Sequence, residues 1–171
     1  MKENFNECLN LVLAHEGGFV DHPKDPGGAT NKGITKKTYE KFLGRDVTVE
    51  DIKNIPDEDV KEIYKRLYWD KIKADELPTG IDYLVFDWCV NGGPSRAAKT
   101  LQKVIKVTAD GAIGPKTLQA VANSDPSDVL EGFTQERKTF YEGLSTFTTF
   151  GKGWHRRTDE ALEHALDMMK K

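Results

Sequence analysis

The stretch at residues 16–35, EGGFVDHPKDPGGATNKGIT, interrupts a chain that is otherwise patterned for helices. On its N-terminal side, Phe5, Cys8, Leu9 and Val12 fall at i, i+3, i+4 and i+7, the apolar stripe of an amphipathic helix expected to run to about Glu16. Gly17 then offers a left-handed cap. Asp25-Pro26-Gly27-Gly28 has proline and glycine where a type II turn wants them. Strand signals are weak and confined to this region: residues 18–35 are expected to form at most a small hairpin, with VDHPKDPGGA as turn material. Thr35 then suits the N-cap of a second helix that buries Tyr39, Phe42 and Leu43 and closes at Gly44.

Beyond it, helical periodicity dominates. Asp57 opens a helix with Val60, Ile63, Tyr64, Leu67 and Tyr68 on one face. Ile81, Leu84, Val85, Trp88 and Cys89 mark a very apolar, central helix that stops at Asn91-Gly92-Gly93-Pro94. Ala97, Ala98, Leu101, Val104 and Ile105 define the next, and DGAIGPKT supplies a tight turn with Pro115 in a helix first turn. Asp125-Pro126 starts a long helix through Leu144; TFTTFGKG reads as a loop, and residues 154–169 as the last helix. The pattern predicts a mainly α body with a division near residues 91–95: a first region over 1–92, and a second over 93–171 packed on it as one compact body.

The bulk properties narrow the function classes. With 171 residues, 37% hydrophobic and 31% charged, the chain has material for one well-cored domain or a body with an appendage. A net charge of −3 gives no basic excess for a general nucleic-acid binder, and Lys152, His155, Arg156 and Arg157 make only a modest basic patch. No run approaches the roughly 18 apolar residues of a membrane span. The N-terminal residues lack the continuous apolar centre of a signal peptide, so the expectation is synthesis in the cytoplasm without stable membrane insertion. Cys8 and Cys89 lie on apolar stripes and read as buried thiols. His15, His22, His155 and His164 show no zinc spacing, and neither a nucleophile elbow nor a phosphate-binding loop is present. No metal or cofactor is expected.

Glu16 is the first catalytic candidate. It stands at i+4 from Val12 and i+7 from Leu9, so it projects from the apolar stripe, at the carbonyl end of the helix. Both surroundings favour the protonated acid, the form a general acid requires. The alternative is a frayed last residue turned outward. A turn at Asp25 would bring that carboxylate and Thr30 back beside Glu16. Two carboxylates flanking a scissile bond are the usual equipment of glycoside hydrolysis.

The run HEGGFVDHPKDPGGATNKGIT closely resembles the signature of the N-acetylmuramidases of glycoside hydrolase family 108, with their lysozyme-like orthogonal helical bundle. The resemblance continues through Tyr68-Trp69, DWCVNGGPSRAAKTLQ and DGAIGPKT to GKGWHRR, and the latter half is similar to the peptidoglycan-binding region that accompanies the catalytic one. It implies Glu16 as the catalytic acid. The Glu–Asp–Thr spacing is also similar to the triad of phage-type lysozymes, but differs by one residue between Asp25 and Thr30. Asn31 therefore stands as an alternative to Thr30, and Asp21 as a rival second carboxylate.

The resemblance implies cleavage of the β-1,4 bond between N-acetylmuramic acid and N-acetylglucosamine, without a cofactor, by a monomer acting on peptidoglycan glycan strands at the cell wall. A phage endolysin released by a holin-type membrane permeabiliser fits this, as does a bacterial secretion-linked lysozyme. Tyr68, Trp69, Asn91, Trp154 and Arg157 are the expected substrate-binding residues. Asn91 reads equally as a helix C-cap, and Trp154 and Arg157 as ordinary helix packing; Trp88 reads as core. Two rival functions stay open: a lytic transglycosylase giving anhydro-muramic products, and a non-catalytic peptidoglycan-binding module.

Overall fold

Leu9 and Val12 lead the chain into its first helix, α1 (Phe5–Leu13), whose Cys8, Leu9 and Val12 are buried. The computed structural model describes residues 1–21 and 28–171. The helix stops short of Glu16. His15 N–H donates to Val12 O and Glu16 N–H to Leu13 O, each at 3.1 Å, so the chain tightens into 3₁₀-type turns before Gly17-Gly18, which favour helix little. The expected type II turn at residues 25–28 lies outside the described residues.

The described chain divides into two compact units, Asn6–Leu67 and Met1–Phe5 with Tyr68–Lys171. In the first, β1 (Thr30–Asn31) and β2 (Ile34–Thr35) pair antiparallel, with Thr30 opposite Thr35 and Asn31 opposite Ile34. Val20 bridges to Thr30 through two 2.7 Å backbone hydrogen bonds. The hairpin is tighter than expected: Lys32 (φ +52) and Gly33 (φ +80) form its two-residue turn, with the two positive φ angles of type I′. Asn31 and Ile34 share the buried face, and the Asn31 amide donates to Ile52 O and Lys53 O at 3.0 and 3.1 Å. Those two bonds fasten β1 to α3 (Val49–Lys53), a short helix with no strong apolar stripe, opened by a Thr48–Asp51 capping box.

Thr35 caps α2 (Lys36–Leu43) by accepting from Thr38 N–H, and Gly44 ends it in the left-handed conformation, as expected. Tyr39 of α2 donates its hydroxyl proton to Asp59 of α4 (Asp57–Tyr64) at 2.5 Å. The carboxylate and burial together push the Tyr39 phenol up to about 12, burial being the larger cause. After Tyr64 the chain widens into a π-helical turn, Lys65–Trp69.

In the second unit, α5 (Ile81–Gly92) is buried at every position from Ile81 to Cys89. It packs with α6 (Pro94–Val104), α8 (Pro126–Glu142) and α9 (Phe147–Met169). Asp87 lies inside this packing, 1% exposed, with Arg137 of α8 at 2.6 Å and Arg157 of α9 at 3.4 Å. Gln102 of α6 is also buried; it accepts from Gly111 N–H and donates to Asp110, Ala112 O and Thr117, which pins the DGAIGPKT turn to the start of α7 (Pro115–Ala122). The expected loop at TFTTFGKG is instead the first part of α9. Gly151 is buried against the Phe147 ring one turn earlier, and that close packing keeps the glycine-containing segment helical.

Candidate active site

Glu16 reaches its position through two local features. The 3₁₀-type turns after α1 re-aim its side chain, and the type I′ turn brings Gly33 up against it. A methyl group on Gly33 would fall 2.9 Å from Glu16 Oε2 and 2.5 Å from the Tyr64 hydroxyl oxygen. Gly33 is therefore required twice, for its positive φ and for this approach. The turn is held from both ends of α4: Asp57 Oδ1 takes Lys32 Nζ at 2.8 Å, and the Tyr64 hydroxyl donates to Lys32 O at 2.7 Å. Asp57 and Tyr64 are seven residues apart and so share one face of the helix. Lys32 also holds the Asp57 carboxyl below its usual range.

The Glu16 carboxylate is half-buried, and among the described residues it is in no ion pair and accepts no hydrogen bond. Thr30 is half-buried too, on the sheet face opposite Asn31 and Ile34. Asn31, the alternative to Thr30, is committed to the α3 carbonyls. Asp21 is exposed one residue beyond the Val20 bridge, while Asp25 lies outside the described residues. Gly33 and Tyr64 were not singled out as site residues by sequence reasoning. The Lys-Gly pair between Asn31 and Ile34 carries a hairpin-turn signal for the first, but Tyr64 reads only as one apolar position of a helix face.

The residues expected to bind substrate lie in the other unit, and most are engaged there. Trp69 is a correction: it is fully buried, packs edge-on to Phe5 and Phe86 with ring centroids 5.2 Å apart, and donates its indole N–H to Asp75 at 2.7 Å, so it offers no face to a sugar. Tyr68 is half-buried, its carbonyl accepting from the Cys89 thiol. Asn91 is exposed and donates to Asp87 O at 2.8 Å, one turn back in α5. Trp154 stacks on Tyr141 at 4.9 Å, and Arg157 turns inward to Asp87. Trp88 is core, its indole N–H on Thr100 and its ring under the Arg137 guanidinium. Both cysteines are free and buried, and burial pushes the Cys89 thiol up to about 12.

A mainly α chain with one small hairpin and a second helical region has the lysozyme-like architecture, and the family comparisons make the class a glycoside hydrolase. The family model for glycosyl hydrolase 108 matches residues 9–93, and that for a predicted peptidoglycan domain matches residues 96–159. The solved structure of Brucella abortus SagA is similar over 100% of this chain and 98% of its own, at 41% identity and a TM-score of 0.88. No curated protein sequence matches the chain. The chain belongs to the glycosyl hydrolase 108 family and is a glycoside hydrolase whose substrate is peptidoglycan.

Proposed function

We propose that the protein is a lysozyme, an N-acetylmuramidase that hydrolyses the β-1,4 bond between N-acetylmuramic acid and N-acetylglucosamine. The observation that carries this is the half-buried Glu16 carboxylate, set against Gly33 and Tyr64 without an ion partner among the described residues. Such a group can carry a proton into the site and deliver it to the glycosidic oxygen as the bond to the sugar carbon breaks. The positive charge that develops at that carbon is met by a second carboxylate, Asp25 in this reading, with Asp21 its rival. The Thr30 hydroxyl orients the water that adds to the same carbon. The water's proton returns to a carboxylate, and the product ends in a reducing muramic acid.

Mass spectrometry of products from purified peptidoglycan tests this. A terminal muramic acid carrying the added water is the expected product. An anhydro-muramic end would assign the chain to the lytic transglycosylases, and wall binding without new chain ends would make it a binding module. The proposed setting is a phage endolysin made in the cytoplasm, acting as a monomer on the wall after a holin-type partner opens the membrane. Among the described residues no helix is long and apolar enough to cross a membrane. Expression in a bacterial host should give lysis with the permeabiliser and none without it; rapid lysis by the enzyme alone would contradict that setting.

A further inference from the structure

A groove of about 520 Å³ runs between α6 and α8 of the second unit, on the part of the chain matched by the peptidoglycan-domain model. Arg96, Lys99 and Lys103 line it from α6; Glu136 and Phe140 line it from α8. The three cations stand at i, i+3 and i+7, one helix face, and span about 10 Å at the rise of an α-helix. They are exposed, and among the described residues none is in an ion pair, although Glu136 shares the groove. Arg96 is held in place: its guanidinium lies 4.3 Å over the Phe140 ring and reaches Gly92 O at 3.4 Å. The groove thus has one planar cation seated on an aromatic floor and two exposed ammonium groups further along. In a chain of net charge −3, this is a local excess of positive charge, three cations to the one carboxylate of Glu136.

We propose that this groove binds the acidic stem peptide of peptidoglycan, Arg96 taking one carboxylate and Lys99 and Lys103 the next. About 10 Å is the length of roughly three extended residues, the scale over which a stem peptide presents its free carboxylates. A planar guanidinium suits bidentate carboxylate binding, and neighbouring ammonium groups suit a second one. Arg157, the cation among the substrate-binding residues expected from sequence, is spent on Asp87. The proposal rests on peptidoglycan being the substrate, and it assigns the peptide, as distinct from the glycan, to α6 and α8.

The test is an NMR titration of the full chain with the soluble tetrapeptide L-Ala–γ-D-Glu–diaminopimelate–D-Ala. Shifted amides should concentrate at residues 92–103 and 136–140, and added salt should weaken the binding. The double variant Lys99→Glu/Lys103→Glu should lose at least about tenfold in affinity. Lys99→Gln/Lys103→Gln, a milder change, should lose less, with both variants melting as cooperatively as the parent. The proposal is overturned if the tetrapeptide fails to bind, shifts other residues, or binds the charge-reversed variant equally. It is equally overturned if peptide-free glycan strands produce the same shifts, which would make the groove a sugar site. Failure of the hydrolase reading would show elsewhere, as absence of fragments released from whole peptidoglycan by the unaltered chain.

Discussion

Glu16 and Asp87 are both carboxylates withdrawn from bulk water, and their surroundings differ in one respect. Asp87 is 1% exposed and is held by two guanidiniums, Arg137 at 2.6 Å and Arg157 at 3.4 Å. Glu16 is half-buried and, among the described residues, is in no ion pair; Gly33 approaches it so closely that an added methyl would fall 2.9 Å from its Oε2. A carboxylate fixed by cations serves as structure, because losing its charge would strand its partners. One without them can exchange a proton with a substrate. Burial alone does not single out a catalytic acid; the identity of its neighbours does.

The sharpest way to break this contrast on the structural side is Arg137→Ala. It leaves Asp87 buried with only the longer bond to Arg157, and should cost about 3–5 kcal/mol in chemical denaturation. Asp87→Asn in the same background should recover part of that loss. A cost below about 1 kcal/mol would show that Asp87 does not depend on its pairing.

The glycines beside the candidate site give a smaller and more selective effect. Gly28 (φ +76) and Gly33 (φ +80) are both left-handed, so alanine at either should cost about 1–2 kcal/mol of strain. Only at Gly33 would the added methyl meet Glu16 and Tyr64; at Gly28 it meets the Lys36 side chain at 3.6 Å. Gly33→Ala should therefore depress peptidoglycan hydrolysis well beyond Gly28→Ala at a temperature where both are folded. Equal activity in the two variants would remove the turn from the site.

The smallest effect is at alkaline pH. Tyr39 ionises near 10.0 when unfolded, but in the fold burial and the Asp59 carboxylate hold its proton to about 12. Its contribution is complete below pH 10 and is lost as pH rises from 10 towards 12. A urea-denaturation series over that range should show a falling stability that Tyr39→Phe flattens; an unchanged slope would contradict the assignment.

Much of the architecture is legible in the sequence. Apolar spacing located α1, α2, α4, α5, α6 and α8, and Thr35, Pro115 and Asp125 marked helix starts through chemistry that acts within a few residues. Local signals failed where a distant partner decides. The start of α9 is stabilised by packing of Gly151 on Phe147, which glycine and threonine propensities do not reveal. Trp69 looked like a sugar platform because a tryptophan in a polar run can be either exposed or core, and Phe5, Phe86 and Asp75 settle it. In the candidate site, the stripe argument for Glu16 supposes a helix that reaches it, whereas α1 ends at Leu13 and 3₁₀-type turns carry Glu16 to Gly33. Tyr64 was not legible as a site residue, since its role depends on a hydrogen bond to a carbonyl 32 residues away.

The central claim is that Glu16 supplies the proton. Measuring reducing ends released from purified peptidoglycan by Glu16→Gln, beside its thermal melting curve, tests it most directly. The account predicts a fall of about 10²–10⁴-fold in rate with melting unchanged, because among the described residues the carboxylate has no ion pair to lose. A folded Glu16→Gln enzyme that still cleaves at a rate within a few-fold of the parent would contradict it.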